Sequence, residues 1–208
     1  GVDVSGVVRV TGYRTPTKVR LLGGGPGSLK HQVARYDVED TLPADGDWRA
    51  VMERDLLEAA AGSSAVAVSD YGYGAVRPDD VRRLKTVSPP PQWVCVDSRY
   101  RLTEFRGVDA ATPNLQELEA CAGTALRGDR EVADAAEALR RELDARFLLA
   151  TRGNLGMTLT EEGRPADHIE VFGTDEVADV TGAGDTVLAV LTAALAAGAT
   201  PSEAARLA

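Results

Sequence analysis

Apolar and polar positions follow two different rhythms along this chain. In the first forty residues the rhythm is that of strands. Val7–Val10 is a short β-branched run, Lys18–Leu22 is another, and His31–Asp40 alternates through Val33, Arg35 and Val38. Gly23-Gly24-Gly25-Pro26-Gly27-Ser28 separates the last two. No Gly-Lys-Ser/Thr ending and no apolar helical pattern follows it, so it predicts a hairpin loop and not a phosphate loop. From Asp47 the period lengthens. Trp48, Val51, Met52, Leu56 and Leu57 fall at helical spacing, and Gly62 follows as a stop.

Beyond Gly62, short apolar runs alternate with helical patterns. Ala65–Val68 precedes a helix opening near Pro78. Trp93–Val96 leads into a loop. Asp109–Thr112 leads into a helix from about Asn114, and a long helix over about Arg130–Ala145 precedes Phe147–Ala150. This alternation predicts an α/β domain with a mostly parallel, buried sheet. Ligands in such sheets bind at the carboxyl ends of the strands. Four successive ends carry polar or small residues: Ser69-Asp70-Tyr71-Gly72, Asp97-Ser98-Arg99, Thr112-Pro113-Asn114 and Thr151-Arg152-Gly153. Together they predict one continuous site along the sheet edge.

Charge and cysteine content narrow the function classes. The 208 residues carry 32 acidic against 23 basic side chains, a net charge of −9. That balance disfavours nonspecific nucleic-acid binding but leaves room for a small anion held by local amides and cations. Cys95 and Cys121 form neither a disulfide framework nor a Cys-x-x-Cys pair, and their apolar settings predict buried free thiols, which suits the cytoplasm. Val187–Ala199, the longest apolar run, is too short to span a bilayer, so no membrane partner is expected.

The strongest chemical signal is Asp179-Val180-Thr181-Gly182-Ala183-Gly184-Asp185-Thr186, which runs directly into the apolar stretch Val187–Leu191. A Gly-Ala-Gly turn lets backbone N–H groups close around an anion, and the helix start adds partial positive charge. Asp185 falls in the first turn. An acidic residue there can simply stabilise the helix start. Beside a phosphate cradle, however, a carboxylate repels substrate unless it serves as the base that takes a hydroxyl proton during attack on a γ-phosphate.

At this point the chain resembles the ribokinase-like (PfkB) carbohydrate kinases, whose C-terminal signature is similar to Asp179–Thr186. The resemblance implies a three-layer α/β fold with a small β lid and ATP-dependent phosphorylation of a sugar hydroxyl. It makes Asp185 the catalytic base and Gly182, Ala183 and Gly184 the anion hole. Thr112-Pro113-Asn114-Leu115-Gln116-Glu117 is similar to the family's Asn-x-x-Glu motif, so Asn114 and Glu117 would organise Mg²⁺ through water beside the phosphates. As plain structure, the same two residues read as a helix cap and a surface Glu. Thr151-Arg152-Gly153-Asn154-Leu155-Gly156 resembles a segment beside the nucleotide, which assigns Thr151, Gly153 and Gly156 to ATP; it also reads as a hairpin turn. A monovalent cation near Asp179 and Thr181 is a weaker transfer.

Within the family, the resemblance runs furthest to the heptose 7-phosphate kinases of lipopolysaccharide-precursor synthesis. Thr17–Arg20 and His31–Asp37 are similar to their lid, and Ser69–Gly74, Thr112–Glu117 and Gly156–Leu159 match further segments. Lys18, Arg20, His31 and Arg35 then become candidates for binding a substrate phosphate, with Asp70 also at the sugar. Each of the four cations alone also reads as an exposed lid charge. Two departures bear on the substrate: the glycine-rich insertion at Gly23–Ser28, and Val96-Asp97-Ser98-Arg99 where those kinases have a Pro and a Lys. Ribose, fructose, another sugar phosphate or a nucleoside is the alternative acceptor, and a non-catalytic binding protein of the same fold is the alternative class. A dehydrogenase is disfavoured, because no early strand–GxGxxG–helix unit occurs. The resemblance also implies a homodimer joined through the lids. It covers one kinase domain, with lid strands over about 4–40 and an α/β core over about 46–208. Both ends are expected to be incomplete, and the isolated piece is expected to aggregate and turn over poorly.

Overall fold

In the computed structural model, residues 1–25, 31–43, 46–172 and 182–208 are described. Contacts divide the chain into two units, Gly1–Met52 and Glu53–Ala208.

The first unit is built on a two-stranded antiparallel ribbon. β1 (Thr17–Gly23) pairs with β2 (His31–Val38) from Thr17↔Val38 to Gly23↔His31, with a bulge between Leu21 and Leu22. Of the glycine-rich segment, Gly23 ends β1 and Gly24 and Gly25 follow it; Pro26–Ser28 fall outside the described residues. Val7–Val10 does not form the expected strand. Turn bonds from Val7 N–H to the Val4 carbonyl (3.0 Å) and from Tyr13 N–H to the Val10 carbonyl (3.2 Å) bracket it instead. β-Branched residues favour a strand only where a neighbour supplies the ladder, and no described strand pairs with this run.

α1 (Asp47–Ala60) crosses from the first unit into the second. The second unit continues with β3 (Ala65–Asp70), α2 (Pro78–Arg83), β4 (Trp93–Ser98), β5 (Ala110–Ala111), α3 (Leu115–Ala122), α4 (Gly128–Leu143) and β6 (Phe147–Thr151). It ends with β7 (Met157–Glu161), β8 (Asp167–Ile169), α5 (Ala183–Ala196) and α6 (Pro201–Leu207). The six strands lie in the order β3-β4-β5-β6-β7-β8. The first four are parallel, and β7 and β8 return antiparallel. The Thr151–Gly156 segment is therefore a hairpin turn, as its sequence suggests.

Strand alternation explains the layering. Val94, Val96, Leu148 and Ala150 point into one core with Leu118, Val132, Leu139 and Leu143 of α3 and α4. Trp93, Cys95, Phe147 and Leu149 point into the other, with Leu188, Leu191 and Leu195 of α5. Both faces of the sheet are covered, which is why β4 and β6 read as continuous apolar runs. Each fully buried Leu or Phe contributes roughly 1.5–3 kcal/mol by leaving water. Trp93 and Phe147 meet edge to face at 6.0 Å, and the Arg146 guanidinium lies 3.7 Å from the Trp93 ring centre.

The thiols divide. Cys95 is buried as expected, and burial pushes its pKa up to about 11. Cys121 is exposed, against the expectation of burial. The eight-residue α3 buries Leu118 alone, and Cys121 falls in its last turn, just ahead of the left-handed Gly123 cap.

Candidate active site

The polar strand ends meet at one edge. β3, β4, β5 and β6 are successive neighbours, so Asp70, Ser98, Thr112 and Thr151 terminate side by side. An N–H from the next segment closes each gap: Arg99 to the Asp70 carbonyl (3.1 Å), Thr112 to Val96 (3.1 Å) and Thr151 to Pro113 (2.9 Å).

α5 brings the glycine-rich turn to this edge. Gly182 caps the helix at φ +81°, a conformation that suits glycine. The Thr186 N–H and Oγ1 both bond the Gly182 carbonyl at 2.9 Å, which locks the first turn. The N–H groups of Ala183, Gly184 and Asp185 precede the first intrahelical bond and are the donors a helix start offers to an anion. Asp179, Val180 and Thr181 lie outside the described residues, and with them the expected monovalent-cation position.

Asp185 is held from β3 and the loop after it. Ser69 Oγ donates to its Oδ1 at 3.0 Å, and Tyr71 Oη donates to its Oδ2 at 2.6 Å. The bonded carboxylate, together with burial, pushes the Tyr71 phenol up to about 12, so it stays a donor at neutral pH. Asp70, between these two donors, turns inward and is 4% exposed. It accepts from Ser98 Oγ (2.8 Å), the Gly72 N–H (3.0 Å) and Arg101 Nη2, which lies 3.1 and 2.9 Å from its two oxygens. Arg101 Nη2 also reaches the Val76 carbonyl at 3.1 Å. Asp70 thus orders the loop that carries Tyr71.

Two more carboxylates complete the edge. The side chains and backbones of Asn114 and Glu117 cap α3 reciprocally, with Asn114 N–H to Glu117 Oε2 at 2.9 Å and Glu117 N–H to Asn114 Oδ1 at 3.0 Å. The capping reading of this pair is therefore realised, and the cap also fixes Glu117 at the sheet edge. Desolvation pushes the Glu117 carboxyl up, against the hydrogen bonds from Asn114. Asp97 is raised further, to about 7, first by burial and then by the charges of Glu117, Asp185 and Asp70, with Arg99 opposing. A Cβ on Gly184 would lie 3.7 Å from Asp97 Oδ2, so the glycine turn and this carboxylate are neighbours. Among the described residues no three acidic, His or Cys side chains converge to chelate an ion directly.

The nucleotide candidates sit in the β6–β7 hairpin. Thr151 forms an isolated bridge with Asn114, joining the two motifs. Gly153 (φ +59°) and Gly156 (φ +78°) shape the turn. Gly156 has a structural duty of its own, because a Cβ there would lie 2.0 Å from the Ile169 carbonyl oxygen.

The four lid candidates belong to the first unit. Lys18 and Arg35 both bind Asp37, at 3.1 and 2.6 Å, and the Arg35 hydrogen bond above all holds the Asp37 carboxyl well below the usual carboxylate range. Arg20 is the cross-strand partner of Arg35, so Lys18, Arg20, Arg35 and Asp37 share one ribbon face. His31 opens β2 opposite Gly23 and is exposed.

Ser69, Tyr71 and Asp97 belong to strand ends that the sequence places at the site, but it assigns them no role of their own, and it does not single out Arg101. Asp97 also stands where the resemblance breaks off. The bonds of Ser69 and Tyr71 to Asp185 span more than a hundred residues and are set only by strand order.

Comparisons with known proteins place the chain in a family. The curated relatives include the bifunctional protein HldE of Halorhodospira halophila, 39% identical over 203 residues, which cover 96% of this chain and 40% of that protein. The HldE of Aeromonas salmonicida is 36% identical over 204 residues, 97% of this chain and 40% of the relative. The chain therefore spans about two fifths of the length of these relatives. Among solved structures, the phosphofructokinase-2 from Escherichia coli in complex with fructose-6-phosphate superposes with a TM-score of 0.65 at 19% identity, over 83% of this chain and 57% of that one. An Arabidopsis thaliana ribokinase complexed with ribose and ATP gives a TM-score of 0.59 at 17% identity, over 83% and 56%. These two likenesses concern the fold. The model of the pfkB family carbohydrate kinases matches residues 1–208, and the chain belongs to that family.

Proposed function

We propose that this chain carries the kinase chemistry of an enzyme that moves the γ-phosphate of ATP to a sugar hydroxyl, with heptose 7-phosphate as acceptor and heptose 1,7-bisphosphate as product. The observation that carries the reading is the position of Asp185. It lies in the first turn of a helix whose start offers free N–H groups, beside the converging strand ends.

The acceptor hydroxyl gives its proton to an Asp185 carboxylate oxygen as its own oxygen attacks the γ-phosphorus. The bond from phosphorus to the ADP oxygen breaks in line. Charge on the transferring group meets the Ala183 and Gly184 N–H donors and the dipole of α5, where Gly182 lets the backbone turn. Thr151, Gly153 and Gly156 would border the nucleotide. Glu117, Asn114 and Asp97 offer oxygen donors at this edge, where no three acidic, His or Cys side chains converge among the described residues, a donor set that suits Mg²⁺ held partly through water. Bound there, the ion would neutralise phosphate charge and offset the burial that raises Asp97 and Glu117, and the neighbouring carboxylate charges that raise Asp97 further.

A phosphorylated acceptor is supported by the cationic face of the lid, Lys18, Arg20 and Arg35, with His31 at the ribbon's end. A neutral sugar would not need them. The acceptor phosphate would compete with Asp37 for Lys18 and Arg35. The opposite face carries Val19, Leu21, Ala34 and Tyr36, and Leu21 and Tyr36 are more than half exposed. That face suits the lid-to-lid homodimer.

The test is ATP consumption by the full-length protein against phosphorylated and free sugars, with Asp185→Asn as control. Turnover of heptose 7-phosphate that vanishes in the variant supports the reading. Preference for ribose, fructose or a nucleoside replaces the acceptor, and no turnover of any sugar points to a binding protein.

A further inference from the structure

The Tyr71 hydroxyl has a duty that the transfer reaction alone does not require. Its oxygen lies 2.6 Å from Asp185 Oδ2, while Ser69 holds Oδ1 at 3.0 Å. Each oxygen of the base therefore already accepts a hydrogen bond from the protein itself. A hydroxyl donating to a carboxylate at this distance makes a strong, charge-assisted bond.

The two donors differ in freedom. Ser69 belongs to β3, in register with Asp97 of β4. Tyr71 lies beyond the strand end and is 39% exposed. The backbone on either side of it is anchored: the Asp70 carbonyl accepts the Arg99 N–H, and the Asp70 carboxylate accepts the Gly72 N–H. Rotation of the Tyr71 side chain frees Oδ2 without unmaking the loop.

We propose that Tyr71 is a placeholder on the base: it occupies Asp185 Oδ2 until the acceptor hydroxyl displaces it, and so keeps water from being activated there. This rests on Asp185 being the base. The suppressed reaction is hydrolysis. A water oxygen would bond to the γ-phosphorus, its proton would pass to Asp185, and the bond to the ADP oxygen would break, giving ADP and phosphate. A sugar held by the rest of the site can displace the phenol, whereas a lone water has no other contacts to offset the lost bond. Tyr71 is thus a specificity-determining residue, selecting sugar over water.

The experiment compares ADP release without sugar to sugar phosphorylation in the full-length protein. Tyr71→Phe keeps the ring and removes only the donor. The ratio of hydrolysis to transfer should rise roughly ten-fold or more, the scale of losing a charge-assisted hydrogen bond. Ser69→Ala, which leaves Tyr71 in place, should not raise it. An unchanged ratio in Tyr71→Phe overturns the proposal. If the ratio rises and the added hydrolysis survives in Tyr71→Phe/Asp185→Asn, Asp185 is not the base, and the reading of the site fails with it. Ultraviolet titration of tyrosinate tests the contact apart from activity. One tyrosine should ionise near 12, vanish in Tyr71→Phe and move down in Asp185→Asn, with Asp97 and Arg99 the other charges facing it. No movement in Asp185→Asn overturns the contact and the proposal together.

Discussion

Tyr71 and Asp185, 114 residues apart in the chain, are joined by a 2.6 Å hydrogen bond across the carboxyl edge of the sheet. The bond ties the loop after β3 to the first turn of α5. It places the candidate base against the strand ends instead of leaving it in solvent, and the consequences can be measured.

Asp185→Asn should fold normally, because Asn keeps the side chain's shape, its oxygen accepting from one of the Ser69 and Tyr71 hydroxyls and its NH2 donating to the other. Turnover should fall by about 10²–10⁴-fold, the usual contribution of a general base. Steady-state kinetics beside a urea melt checks both halves, and wild-type kcat in the variant would remove Asp185 from its role.

Gly184→Ala and Gly156→Ala should separate activity from stability. A Cβ at Gly184 meets only Asp97 Oδ2 at ordinary contact distance, so the melt should barely move while turnover drops as the anion's approach is crowded. A Cβ at Gly156 would overlap the Ile169 carbonyl and force a side chain to φ +78°, so that variant should lose about 3 kcal/mol or more. Equal melting losses in the two variants would contradict the geometry.

Asp97 gives the domain a pH dependence of definite sign. Its pKa rises from 3.8 to about 7 on folding, so the native state holds a proton that the unfolded chain releases. The resulting stabilisation is present at low pH and is lost as pH climbs between those values. Asp97→Asn should therefore be the more stable form by roughly 2 kcal/mol at about pH 8 without Mg²⁺, and nearly equal to wild type at about pH 4. Denaturant midpoints across pH test this, and a constant difference would reject it.

Arg101→Ala should cost about 3–5 kcal/mol. It leaves the Asp70 carboxylate buried without its cation, and removing one member of a buried pair costs far more than an exposed bridge is worth. Activity should fall with stability, because Asp70 also anchors the backbone beside Tyr71. A variant with unchanged melting would mean that water replaces the guanidinium.

The sequence by itself determined whatever rests on local periodicity and local chemistry. Continuous apolar runs such as Trp93–Val96 and Phe147–Ala150 announce strands buried on both faces. The Gly-Ala-Gly turn before Val187–Leu191 announces a helix start built to meet an anion, and Asn114 with Glu117 announces a cap. Those signals need only neighbours a few residues away. Tertiary structure decided what depends on which strand lies beside which. Val7–Val10 has strand propensity but no ladder partner among the described residues. Cys121 sits in an apolar stretch and is still exposed, because helix phase and length, not local hydropathy, select the buried side. Only the order β3-β4-β5-β6, with α5 packed against it, brings Ser69, Tyr71 and Asp97 to Asp185. No spacing encodes that meeting. It follows from burying both faces of one sheet, which aligns the strand ends and gathers polar side chains at the edge the cores leave open.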